Sequence, residues 1–187
     1  MELISFVQMI TRQVKRILER LFITDARGKK LNSGIHVDDL PVYMSSPVVK
    51  GFGRGSKLLG IPTANMDRSH VANEVDKLPA GIYFGWAKLN GLYYKSAISV
   101  GWNPCFDDVK EKTVEPHLIH EFKDDFYGQT LELLLTGYIR PEQKFDSMDS
   151  LIEAIKDDIQ KSSEALETEK QKKYQDQTYW QTRAVES

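Results

Sequence analysis

Gly51, Gly53 and Gly55 recur at a spacing of two, and Lys57 follows two residues after the last of them. Glycines let a backbone come close to a ligand and turn successive N–H groups toward phosphate oxygens. Lys50, Arg54 and Lys57 add positive charge to the same stretch. The chemistry that suits this run is holding a polyphosphate. Two well-known phosphate patterns are not met. The G-x-x-x-x-G-K-[ST] loop needs a glycine before the lysine and a hydroxyl after it, whereas Lys57 stands between Ser56 and Leu58. The G-x-G-x-x-G fingerprint needs a glycine where Ser56 stands, and no helical pattern follows. On the glycines alone, a plain turn between strands is an equal alternative.

Two further groups could join that chemistry. Thr63 and Asn65 lie two apart in Pro62-Thr63-Ala64-Asn65, so in an extended segment their side chains share a side. Each offers a neutral oxygen. Mg²⁺ takes hard oxygen ligands and is often held by a few protein groups plus substrate phosphates; turn capping is the simpler use of the same pair. Further on, Val114 to Phe122 carries Glu115, His117, His120 and Glu121. On a strand Glu115, His117, Ile119 and Glu121 share one face, and His120 takes the other. Two histidines that face opposite ways do not make a zinc site. Glu115, beside a loop over Asp107 to Lys112, is better placed as a general base, or else is an exposed carboxylate at a strand end.

The elements that must position these groups are mostly strands. Pro47 to Phe52 reads as a short strand entering the glycine loop, and the core domain is expected to start near Ser46. A polar stretch runs from Asp67 to Lys77. Ile82 to Leu89 and Leu92 to Val100 flank Asn90-Gly91, the strongest short-range hairpin signal, because both turn residues need positive φ. Thr113 to Phe122 and Thr130 to Ile139 read as two more strands. A helix follows, capped by Ser147 or Ser150, with Leu151, Ile152, Ile155, Ile159 and Leu166 as its apolar stripe. Successive strands on short turns are antiparallel, and one closing helix favours a small barrel with the helix packed outside. From Glu167 the sequence is charged and Gln-rich, which predicts a solvated helical extension or a frayed tail.

Residues 1–22 have helical apolar spacing (Phe6, Ile10, Val14, Leu21) with Arg12, Lys15, Arg16 and Arg20 opposite. A helix docked on the domain or a partner is one reading. A mitochondrial transit segment is the other, against which Glu2 and Glu19 count. Residues 23–45 are a polar connector. The boundaries are therefore 1–45 for the amphipathic helix and linker, 46–167 for the barrel with its helix, and 168–187 for a polar extension. A formal net charge of -2 gives no reason to expect nucleic acid as a partner. No stretch approaches the ~18 apolar residues of a membrane span. The single cysteine, Cys105, rules out a disulfide within the chain and fits a reducing compartment. Cytoplasmic location and a monomer are the expectations.

These pieces in this order resemble the riboflavin kinases of the eukaryotic, monofunctional type. The matching stretches are Gly51 to Lys57, Leu59 to Asn65, Gly81-Ile82-Tyr83, Ser99 to Pro104, Glu115 with His117 and His120, Phe122 to Gly128, and Gly137 to Glu142 followed by Phe145. The resemblance spans about residues 45 to 167. It implies a six-stranded antiparallel Greek-key barrel with a C-terminal helix, and transfer of the ATP γ-phosphoryl group to the riboflavin 5′-hydroxyl, giving FMN and ADP. It also implies that Thr63 and Asn65 hold Mg²⁺ and contact the nucleotide, that Gly51 and Lys57 hold ATP, that Glu115 is the catalytic base, and that Leu118, His120 and Arg140 contact the flavin. FAD production is not expected, because none of the four histidines forms the H-x-G-H motif of a fused adenylyltransferase. A catalytically inactive flavin- or nucleotide-binding barrel is the alternative, and it would not need Glu115 beside Thr63 and Asn65. Pro116 departs from an ordinary strand by removing one donor, which places it on an edge or before the strand begins.

Overall fold

In the strand Val42–Val49 (β1), Val42, Met44, Ser46 and Val48 are buried and the residues between them are not. This period of two sets one face of a strand against a core. The strand opens earlier than the Pro47 expected from sequence, because the serines at 45 and 46 disguise the alternation. The computed structural model describes residues 39–51, 60–102 and 111–186, without the side chains of 183–186. The chain divides into two units, Met1–Gly34 and Ile35–Ser187, and the described residues all belong to the second. The amphipathic segment 1–22, Lys57 and Cys105 lie outside the described residues.

Five further strands follow: β2 (Asn65–Met66), β3 (Gly81–Leu89), β4 (Leu92–Gly101), β5 (Thr113–Leu118) and β6 (Thr130–Arg140). Their order is β2-β1-β6-β3-β4-β5, with every pair antiparallel. The Asn90-Gly91 hairpin forms as predicted, with φ of 52° and 79° at its two central residues. The two ends of the ladder meet just ahead of β2, where the Ala64 N–H donates to the Pro116 carbonyl at 2.9 Å. The result is the nearly closed six-stranded barrel that the sequence predicts. Its interior holds Met44, Tyr83, Ile98, Val100, Leu131, Leu133 and Leu135. β5 ends four residues sooner than expected: Ile119 makes the last link to Lys95, and the chain then bends at His120.

Asp67 to Lys77 is not an open polar stretch. Arg68–Lys77 is a helix, α1, whose start is capped by the Asp67 carboxylate accepting from the Ser69 N–H at 3.0 Å. Val71 and Val75 drop one turn apart into the core. Two apolar residues in ten are too few to announce a helix by periodicity.

The helix α2 (Met148–Leu166) starts at Ser147, which forms a capping box with Ser150. Its most buried residues are Asp158, Ser162 and Leu166; the rest of the aliphatic stripe, Leu151, Ile152, Ile155 and Ile159, is only half-buried. The C-terminal segment departs most from expectation. α3 (Glu169–Lys172), a 3₁₀ turn and α4 (Gln177–Glu186) follow α2. Trp180, 1% exposed, and Tyr174 pack with Trp86, Leu134 and Leu166 into a second apolar cluster. Trp86 Nε1 donates to the Gln171 carbonyl at 3.2 Å, and Trp180 Nε1 donates to the Tyr174 carbonyl at 2.5 Å. The segment is therefore docked rather than solvated, because three large rings are enough to pin an otherwise polar stretch. Among the described residues no helix is long and apolar enough to cross a membrane.

Candidate active site

Residues 63–66 alternate in burial: Ala64 and Met66 are buried, and Thr63 and Asn65 stand half-buried on the other side. The segment runs beside β5. Glu115 accepts hydrogen bonds from the hydroxyls of Thr63 and Thr113, the latter with Oγ1 3.1 Å from Glu115 Oε1. The next residue, Pro116, accepts from Ala64. Nδ1 of His117, the residue after that, lies 2.8 Å from the Pro62 carbonyl oxygen. Three successive strand residues thus engage the three successive residues Pro62, Thr63 and Ala64. Pro116 sits mid-strand without cost to the β4 ladder. Its carbonyl points toward Ala64, so its donorless nitrogen also faces away from β4.

Burial raises the Glu115 pKa above the ordinary carboxylate value, and the hydroxyls of Thr113 and Thr63 oppose that rise. A carboxylate in this setting is a better proton acceptor than one in water. Asn65 lies on the same strip. A Cβ placed on Gly51 would come within 2.5 Å of Asn65 Nδ2 and 2.8 Å of its Oδ1. Gly51 therefore leaves the space that the Asn65 carboxamide fills. Lys57 and Arg54 fall outside the described residues. Thr63 and Asn65 fit Mg²⁺ as a minor part of its shell: both are neutral oxygen donors beside a carboxylate, which leaves most positions to water and phosphate. Among the described residues no group of three or more His, Cys, Asp and Glu is arranged to hold a metal.

The remaining sequence-predicted positions are spread over other surroundings. Leu118 is buried in the barrel core. His120 is exposed and packs its ring 5.0 Å from Tyr94 and 4.8 Å, edge-on, from Phe122, which in turn meets Phe126 at 4.9 Å. Arg140 is held by the buried Asp158: Nε donates at 2.9 Å and Nη2 at 2.6 Å to its two oxygens. Nη1 of Arg140 donates to the Pro141 carbonyl at 3.1 Å, and the guanidinium lies over the Phe145 ring.

Sequence reasoning passed over three groups here. Thr113 was legible, since it stands two before Glu115 and period two places it on the same face. Glu142 was not. Its carboxylate sits against Gly101, accepts from the Trp102 N–H and faces Lys112. Burial pushes its pKa up to about 7 in spite of both partners. The Lys112 ammonium is buried in turn and donates to the Leu78 and Asp76 carbonyls at the end of α1, where a cation suits the helix terminus.

Comparison with known proteins adds the following. A family model described as riboflavin kinase matches residues 39–166. The chain is 46% identical over 143 residues to the riboflavin kinase of Mus musculus, covering 76% of this chain and 92% of the mouse protein. It is 48% identical over 141 residues to the bifunctional riboflavin kinase/FMN phosphatase of Arabidopsis thaliana, covering 74% of this chain but 37% of that much longer protein. In structure it is similar to the riboflavin kinase of Trypanosoma brucei, with a TM-score of 0.58 at 26% identity, covering 75% of this chain and 89% of that one.

Proposed function

From the premise that the chain belongs to the riboflavin kinase family, we propose that it transfers the γ-phosphoryl group of ATP to the riboflavin 5′-hydroxyl, with Glu115 as general base, giving FMN and ADP. The observation that carries this reading is the meeting of Glu115 with Thr63, on the strip that also bears Asn65 and reaches Gly51. An inactive binding barrel has no use for a half-buried, partly desolvated carboxylate at that point.

An alcohol is a weak nucleophile at neutral pH. A carboxylate within hydrogen-bond reach takes its proton as the O–P bond forms, and it works best with a pKa raised toward the operating pH. Glu115 has that character, and the Thr113 hydroxyl fixes one of its oxygens so that the other can face substrate. Balance is simple: the 5′-oxygen bonds to the γ-phosphorus, the bond to the bridging oxygen breaks, the proton goes to Glu115 and ADP leaves.

Thr63 and Asn65 would hold Mg²⁺ together with the nucleotide, and Gly51 and Lys57 would line the ATP site. The ion, when bound, neutralises phosphate charge. Most of the acceleration then comes from aligning the two substrates. The ring of riboflavin finds its chemical match in the aromatic group of Tyr94, His120 and Phe122. With Nε, Nη1 and Nη2 of Arg140 already donating, a flavin contact by this residue would use its remaining N–H groups or its planar face. Leu118, turned into the core, would contribute through its backbone. Incubation of the chain with riboflavin, ATP and Mg²⁺, followed by chromatography, tests the reading: FMN should appear with equimolar ADP, and its absence across several divalent metals and pH values would overturn it.

A further inference from the structure

We infer that His117 is a positioning residue: its Nδ1–H donates to the Pro62 carbonyl and so fixes Thr63 against Glu115. A carbonyl oxygen can only accept, so the ring nitrogen 2.8 Å away must carry the hydrogen. This contact therefore sets the tautomer of His117.

The reason for a side-chain donor at this point lies in Pro116. Pro116 accepts from Ala64 through its carbonyl, but its ring nitrogen has no hydrogen to give back. An ordinary residue there could tie the loop to β5 twice; Pro116 ties it once. The His117 ring makes the second tie, at Pro62. Thr63 lies between the two anchored residues, Pro62 and Ala64, with its hydroxyl on Glu115. Without the His117 bond, Pro62 would come away from β5 and Thr63 would keep only its own hydroxyl bond and the Ala64–Pro116 link beside it, whereas Asn65 stays paired with Val49 of β1. The functional half of this inference rests on the kinase reading above; the structural half does not.

Substitutions separate a donor at Nδ1 from mere bulk. The amide nitrogen of asparagine occupies nearly the same place as His Nδ1, whereas that of glutamine falls near Nε2. Steady-state kinetics should show that His117→Ala and His117→Gln raise KM for Mg·ATP by about 3–10-fold, the worth of one hydrogen bond, while KM for riboflavin stays within about twofold. His117→Asn should restore the native value. Equal losses in the Asn and Gln variants would overturn the inference while leaving the kinase reading intact.

Two measurements need no activity, so failure of the kinase reading would not hide the answer. Nitrogen-15 NMR of the imidazole should show hydrogen on Nδ1; a neutral ring protonated only at Nε2 would refute the assignment. Amide exchange at Ala64 should quicken in the Ala and Gln variants and stay slow in the Asn variant. Unchanged exchange in all three would also refute it.

Discussion

The α-carbon of Gly51 and the carboxamide of Asn65 are in contact so close that one methyl group on Gly51 would come within 2.5 Å of Asn65 Nδ2. The atom it would strike is the far end of a side chain and can move. Gly51→Ala should therefore turn Asn65 aside at little cost to the fold, within about 0.5 kcal/mol. Steady-state kinetics should show weaker use of Mg·ATP with riboflavin affinity kept. Unchanged Mg·ATP dependence would remove Asn65 from the nucleotide site.

Glu142 makes stability depend on pH in a defined window. Its pKa is about 7 in the fold and about 4.3 in an unfolded chain. Between those values the folded state holds more proton, so stability is fully present below the lower one and is lost as pH rises through about 7. The titratable groups facing it are Lys112, which favours its ionised form, and the neutral phenol of Tyr138, with which it interacts across the end of β6. Glu142→Gln should raise the melting temperature at pH 8 and leave it unchanged at pH 4. A variant less stable at pH 8 would mean that the Lys112 attraction outweighs burial.

The Arg140–Asp158 pair ties β6 to α2 and is nearly buried on the Asp158 side. Asp158→Ala strands the guanidinium and should cost ~3–5 kcal/mol in chemical denaturation. Arg140→Met with Asp158→Leu should recover most of that stability. If Arg140 also contacts the flavin, the double variant will keep a raised KM for riboflavin although its fold is restored. A normal KM there would assign Arg140 to structure alone.

Much of this architecture was legible in the residues. The Asn90-Gly91 hairpin, the strand faces and the antiparallel order follow from period-two patterning and turn chemistry, which are local. So does the pairing of Thr63 with Asn65 on one side of an extended segment. What escaped depends on distant partners. α1 shows two valines to the sequence and needs the barrel to make them a buried face. The tail after Glu167 reads as solvated until Trp86 and Leu134 are known to lie beneath Trp180. Asp158 and Glu142 look like surface carboxylates, and only Arg140 and the Gly101 backbone account for their burial. Pro116 was the most informative misfit: the missing donor was visible at once, but its replacement by the His117 ring required the fold.

The central claim is that Glu115 takes the proton of the attacking hydroxyl. The most direct test compares FMN formation by the native chain and by Glu115→Gln at saturating riboflavin and Mg·ATP. Turnover should fall by ~10²–10⁴-fold with both KM values nearly unchanged. The native kcat/KM should decline at low pH with an apparent pKa above the ordinary carboxylate range, in keeping with the burial of Glu115. A glutamine variant that forms FMN at close to the native rate would contradict the account.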